Sequence, residues 1–208
     1  MTACANAIVI PHVEEPQFIY RTYGELNNVG LVASANRINL AIVRDCLETI
    51  NLSLHDNLCP FTVYIAGEIK SLVDNLPKQD SAIFHKPWVQ LLGFVPDIGK
   101  FYRDMDVIIS PVTMGTGINV KTVQAMAFGM PLLTTAWGAK GIESGEPLHS
   151  FSNLDQLVEH LFILNNDPSE LQRLADVSRT TYLTFYQKSV NAMQAMFKHP
   201  KLERSMVS

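Results

Sequence analysis

Charge of either sign is scarce in this chain: 17% of its 208 residues are Asp, Glu, Lys or Arg, and the formal net charge is -4 at pH 7. No basic field exists to hold a polyanion, which makes nucleic acid and anionic lipid poor general partners; a phosphate would have to be held by a few local groups. The three cysteines, Cys4, Cys46 and Cys59, are odd in number and stand at no metal-ligand or redox spacing. Neither a disulfide scaffold nor a thiolate metal site is expected from them. No run approaches the roughly 20 apolar residues of a membrane span. The opening MTACANAIVIPH has neither a basic start nor a long apolar core, so the expected compartment is the cytoplasm. His12, His55, His85, His149, His160 and His199 pair with no carboxylate or cysteine at a spacing that builds a metal site or a triad, and no metal is expected.

What the chain does have is apolar bulk. Hydrophobic residues make up 47% of it, and Gly and Pro, at 11 each, are too few for a low-complexity sequence. The length suffices for one large or two small folded domains with a sizeable core.

Short β-branched runs alternate with longer periodic ones. Strands are predicted at 7–10, 30–33 (GLVA), 61–66 (FTVYIA), 89–92 closed by Gly93, 106–110 (DVIIS), 131–134 (PLLT) and 147–151. Helices are predicted at about 37–51 behind the capping candidates Ser34 and Asn36, at 69–75, and at 98–103 behind Asp97. Further helices are expected at 154–164 capped by Ser152 with Asp155, from Asp167-Pro168 to about Tyr186, and over an amphipathic 190–198 carrying Met193, Met196 and Phe197. The segment through residue 28, with Pro16, Gly24 and Asn27-Asn28, reads as a connector with the character of a hinge. Strictly alternating strands and helices require a mostly parallel sheet with helices on both faces, so the fold class is α/β, Rossmann-like, with a helical C-terminus.

The stretch MGTGINVKTVQAMAFGM, residues 114–130, directly follows the 106–110 strand. Gly115 and Gly117 let the backbone approach a ligand and present its N–H groups, and a helix opening at about Ile118 adds its positive dipole end. Gly117, Lys121 and Gln124 fall at i, i+4 and i+7 and share one helix face; Val120, Val123 and Ala127 form a neighbouring apolar stripe. The combination favours a phosphate, although a Gly-Thr-Gly turn and a lone lysine also occur in plain tight turns and solvent-facing helices.

The order VASANRINL, YIAGEI, LLGFVPDIGKFYRDMDVIISP, GTGINVKTVQAMAFGMPLLTT and WGAKGI resembles the C-terminal, donor-binding half of retaining glycosyltransferases of the GT-B architecture, a group 1 or family 4-like set that includes sucrose synthase-like and bacterial polysaccharide enzymes. The resemblance implies one half of a GT-B fold. It implies that Gly93, Phe94, Val95 and Asp97 cradle the nucleotide base, that Met114, Gly115, Thr116 and Gly117 cover the sugar and diphosphate, and that Lys121 pairs with phosphate. Asp97 reads equally well as a helix N-cap. Gln124 departs from the family, which normally carries Glu there to accept both ribose hydroxyls; an amide offers one acceptor and two donors. The earlier acidic position of the family's E-x7-E signature is Thr116 here.

The resemblance further implies a UDP- or GDP-sugar as substrate, no metal and no other cofactor, and an N-terminal acceptor-binding domain in the parent protein, without which a single half would not transfer sugar. The expected division is 1–28 as N-terminal strand and connector and 29–208 as the nucleotide-sugar-binding domain. Cytoplasmic placement is expected, with peripheral attachment at the inner membrane through the parent protein as the variant. Two other readings stay open: a non-catalytic scaffold or regulatory module with a decayed donor site, favoured by Gln124, and another Rossmann-like enzyme such as a dehydrogenase. Against the last, no G-x-G-x-x-G follows the first core strand, where the sequence is GLVASAN.

Overall fold

A computed structural model of the chain describes residues 13–55, 58–115 and 117–197; the strand expected at 7–10 lies outside them. The element order is β1 (Asn28–Val32), α1 (Arg37–Ser53), β2 (Thr62–Ala66), α2 (Ile69–Val73), α3 (Lys78–Ser81), a 3-10 turn (Ala82–His85), β3 (Val89–Gly93), α4 (Ile98–Asp104), β4 (Val107–Ser110), α5 (Val120–Ala127), β5 (Leu132–Thr134), a second 3-10 turn (Pro147–His149), α6 (Leu154–Leu164) and α7 (Pro168–Phe197). The strands form one sheet in the order β3-β2-β1-β4-β5, and every pairing is parallel. Parallel neighbours cannot be joined by a tight turn, so each connection crosses a face of the sheet and carries helix with it.

The two-residue period of the strands builds both cores. Val107 and Ile109 of β4 and Leu133 of β5 enter the cluster that packs on α1, α2 and α6, while the intervening Ile108 and Leu132 enter the cluster on α4, α5 and the middle of α7. Gly30 shows how tight the second face is. A Cβ built there would lie 2.6 Å from both the Ile108 Cδ1 and Met105 Cγ atoms, so these two side chains occupy the space that a side chain on β1 would need.

Several expectations require correction. The segment 147–151 is not a strand: Pro147 opens the 3-10 turn, and only Phe151 pairs, through an isolated bridge to Thr135. The two helices expected beyond Asp167 are one α7, because nothing between Tyr186 and Val190 breaks it and the Ser189 hydroxyl donates back to the Phe185 carbonyl at 2.8 Å. The cap of α6 is Asn153, whose side chain accepts the Gln156 amide at 2.9 Å, not Ser152 with Asp155. Helix α5 opens at Val120 behind Asn119, two residues later than expected, and Val120 is 48% exposed instead of sharing the apolar stripe of Val123 and Ala127.

The connector is docked along its described length. The Gln17 and Ile19 amides donate to the Ala127 and Phe128 carbonyls at the end of α5, both at 2.8 Å, and Tyr23 and Leu26 are buried. Arg21 donates to the Arg103 and Met105 carbonyls and pairs with Asp106, whose Oδ2 accepts the Asn27 and Asn28 amides at 3.0 and 2.8 Å. Each of these groups satisfies an orphan at a helix or strand end and ties this polar segment to the sheet and helices.

Candidate functional site

The strand order reverses between β1 and β4: the chain moves outward from β1 to β2 and β3, then returns to β4 and β5 on the other side. In open parallel sheets the loops leaving the carboxyl ends diverge at such a point and leave a crevice. Among the described residues it is bordered by 33–36 after β1 and by 111–115 and 117–119 after β4.

Lys121 reaches across this crevice. It sits at the second position of α5, half-buried, with its ammonium 3.4 Å from the Ser34 hydroxyl. Burial lowers its pKa below the ordinary lysine range, and among the described residues no carboxylate offsets that cost. A desolvated cation without an acidic partner is poised for an anion from outside the chain. Asn119 fixes where α5 starts: its side-chain oxygen accepts the Lys121 and Thr122 amides at 3.0 and 3.2 Å, so two of the helix's orphan donors are already used. Those two amides are thus not free for an anion.

On the β1 side Asn36 caps α1 by accepting the Asn39 amide at 2.7 Å, and the Asn39 carboxamide turns back to donate to both the carbonyl and the hydroxyl of Ser34 at 3.0 Å. Gly67, at the end of β2, supports the same loop from below with a φ of 115°. A Cβ on it would lie 2.2 Å from the Ala33 carbonyl oxygen, which leaves glycine as the residue that fits. The β4 and β5 ends are tied by hydroxyls. Thr134 donates to the Ser110 carbonyl at 2.8 Å, the Ser110 and Thr122 hydroxyls meet at 2.9 Å, and Thr135 donates to the Val112 carbonyl.

The expected site residues fall into groups. Lys121 and Gln124 lie one turn apart on α5. Gly115 and Gly117 are exposed in the loop above, where a Cβ on either would meet no heavy atom within 4 Å; the fold's packing does not demand glycine there. Met114 is 55% exposed at the same rim, and Thr116 lies outside the described residues. Gly93 ends the edge strand β3 and Phe94, Val95 and Asp97 follow it, two strand spacings or roughly 10 Å from β1. Gly93 closes β3 opposite Ala66, and its carbonyl accepts the Gly67 amide at 2.7 Å; Phe94 is 73% exposed, and Val95 is half-buried against the second core. Asp97 caps α4, accepting the Lys100 amide at 2.9 Å and pairing with Arg103 at 3.3 Å. The two groups are joined through α4, because the Tyr102 hydroxyl donates to the Gln124 side-chain oxygen at 3.2 Å. Ser34 faces Lys121 and Asn39 is bonded to Ser34, although the sequence alone assigns neither to the site. The signal was a serine one residue past a core strand, next to Asn36, which reads first as a capping cluster.

On the β5 side of the same loop, Gly117, Ile118, Lys140, Gly141, Phe185 and Lys188 border a cavity of about 430 Å³. The Lys140 ammonium lies 5.2 Å from the Trp137 ring centre, and Lys188 pairs with Glu143. Among the described residues no cluster of three His, Cys, Asp or Glu is placed to hold a metal ion, and no helix is long and apolar enough to cross a membrane.

A five-stranded parallel sheet with helices on both faces, its loops converging at the strand-order reversal, defines a Rossmann-like α/β domain of the kind that forms one half of a GT-B glycosyltransferase. The chain belongs to the group 1 glycosyl transferases, whose family model matches residues 27–191. Among solved structures, it is similar to the C-terminal domain of a glycosyl transferase group 1 family protein, LpcC, from Francisella tularensis: 16% identity and a TM-score of 0.60, covering 77% of this chain and 86% of that domain. It is also similar to Anabaena Alr3699/HepE solved with UDP and glucose, at 18% identity and a TM-score of 0.61, covering 84% of this chain and 48% of that one. WaaG, a glycosyltransferase involved in lipopolysaccharide biosynthesis, matches at 18% identity and a TM-score of 0.55 over 78% of this chain and 44% of its own. The chain therefore spans most of the isolated domain and under half of the two longer proteins. A search of curated protein sequences gives no match.

Proposed function

We propose that this chain is the nucleotide-sugar donor-binding domain of a retaining glycosyltransferase, which transfers a sugar from an NDP-sugar to an acceptor when joined to an N-terminal acceptor-binding domain. In this reading residues 29–208 are the donor domain and residues 1–28 its N-terminal strand and connector. The observation that carries it is the half-buried Lys121 ammonium at the β1–β4 reversal, 3.4 Å from Ser34 and without an acidic partner among the described residues. A diphosphate leaving group develops negative charge as the sugar departs, and a fixed, desolvated cation stabilises that charge at no reorganisation cost. The Gly115 and Gly117 amides would add donors, and the base would extend toward residues 93–97. HepE was solved with UDP and WaaG serves lipopolysaccharide synthesis, which supports a UDP- or GDP-sugar donor and a role in polysaccharide biosynthesis.

The experiment is a melting series with UDP and GDP. A nucleoside diphosphate at about 100 times its Kd should stabilise the domain by about 2.7 kcal/mol, and Lys121→Ala should remove the shift. No shift with either nucleotide sinks the reading.

One observation favours a non-catalytic module instead. Gln124 stands where the resemblance calls for a carboxylate, and its oxygen is already engaged by Tyr102. That reading predicts that the site stays unresponsive when a carboxylate is restored at position 124.

A further inference from the structure

Ser34 is exposed at the crevice, and among the described residues both side-chain contacts of its hydroxyl are with donors, which leaves its hydrogen free for a ligand. Asn39 must present its amide nitrogen to Ser34, because one of the two atoms it touches is the Ser34 carbonyl, which can only accept. Its second hydrogen goes to the Ser34 Oγ at 3.0 Å. The Lys121 ammonium, which can only donate, approaches the same Oγ at 3.4 Å. A hydroxyl has two lone pairs and one hydrogen. With both lone pairs turned toward donors, the hydrogen points away from Asn39 and Lys121, and no acceptor for it is present among the described residues. The neighbouring ammonium also polarises the O–H bond, strengthening it as a donor.

From this geometry we infer that Ser34 is a ligand-binding residue of the crevice, donating its proton to a phosphate oxygen of the nucleoside diphosphate, and that Asn39 is the positioning residue that aims it. The inference rests on the donor-site reading above and adds a second side-chain donor to it from the opposite wall. The anion is then held between β1 and α5, with Lys121 supplying charge and Ser34 supplying direction. Asn39 has its backbone amide on the Asn36 cap and both side-chain hydrogens on Ser34, so it has no donor left for an anion itself; its influence on a phosphate passes through Ser34.

The test is a calorimetric titration of UDP into the full chain and its variants, with the ligand-free melting temperature of each as the check on folding. Loss of a hydrogen bond to a charged oxygen should weaken UDP binding about 10- to 100-fold in Ser34→Ala. Ser34→Thr keeps the hydroxyl and should bind within about threefold of the parent. Asn39→Ala should weaken binding by less than Ser34→Ala, and the double variant should be no weaker than Ser34→Ala alone, because Asn39 acts through the hydroxyl that the first substitution removes. Parental affinity in Ser34→Ala, or additive losses in the double variant, overturns the inference. Should Asn39→Ala not fold, the Ser34→Ala and Ser34→Thr pair decides alone. If the parent chain binds no UDP or GDP, the donor reading itself falls and this inference with it. If the parent binds and Lys121→Ala does not, but Ser34→Ala is unchanged, only the role of Ser34 is lost.

Discussion

The Tyr102 hydroxyl donates to the side-chain oxygen of Gln124 across 3.2 Å, and Tyr102 itself is fully buried, its ring stacked on Phe128 at 4.7 Å. Burial raises the Tyr102 pKa, so the hydroxyl stays protonated and keeps donating. The amide of Gln124 is thereby oriented: its oxygen is held against α4, and its NH2 is what remains to face a ligand. A carboxylate at this position would leave a second, charged acceptor in place of that donor. Gln124→Glu is therefore expected to tighten UDP binding about tenfold, the difference between a neutral and a charge-assisted hydrogen bond. Calorimetry reads it, and an unchanged Kd would favour the non-catalytic module.

The depressed lysine gives the site a pH signature. Lys121 binds an anion only while charged, and burial makes it lose its proton below the value of about 10.4 of a free lysine. UDP affinity should therefore fall as pH rises, beginning at lower pH than an exposed lysine would show. Lys121→Arg remains charged throughout and should flatten the profile. Titrations at stepped alkaline pH decide it.

His149 sets an acid limit on the fold. It is buried, its Nδ1 lies 2.5 Å from the Ser144 hydroxyl, and its pKa is lowered to about 4, chiefly by burial, with the Glu146 charge opposing. The folded chain thus holds a neutral ring where the unfolded chain, with a value near 6.5, takes up a proton. Stability from this residue is full above about pH 6.5 and is lost as pH falls toward 4. From the size of that shift, unfolding should cost about 2 kcal/mol less at pH 5 than at pH 7. Urea denaturation of the parent and of His149→Gln at the two pH values checks it: the difference should shrink in the variant.

Two glycines beside the crevice should respond oppositely. At Gly67 both the backbone angle and the Ala33 oxygen exclude a side chain, so Gly67→Ala should destabilise the fold by at least about 2 kcal/mol. A Cβ on Gly115 meets nothing within 4 Å, so Gly115→Ala should leave stability within about 0.5 kcal/mol. Its cost should appear in UDP affinity, where the methyl group would stand between loop and ligand. Melting curves with and without UDP separate the two effects.

Much of the architecture was legible because it depends on local pattern. Val107, Ile108 and Ile109 are uniformly apolar, as a strand buried on both faces must be, and Asn36, Asp97 and Asp167 cap the helices they precede. Pro147 to Phe151 scans like a short strand because Leu148 and Phe151 are apolar, although one bridge to Thr135 is all the pairing it makes. The connector misled for a different reason. Its polar residues look solvent-facing until Arg21 and Asp106 are brought together from positions 85 residues apart.

The sequence by itself determined the alternation of strands and helices, the Gly-rich loop behind β4 and a lysine near the start of the following helix, since each follows from residue types within a few positions of one another. Only the tertiary structure decided what that lysine faces. The crevice exists because the strand order reverses between β1 and β4, and that reversal carries Ser34, with Asn39 bonded to it, to within hydrogen-bonding reach of a side chain 87 residues away from Ser34. No local pattern encodes that meeting, because sheet order is set by how all the crossover helices pack together.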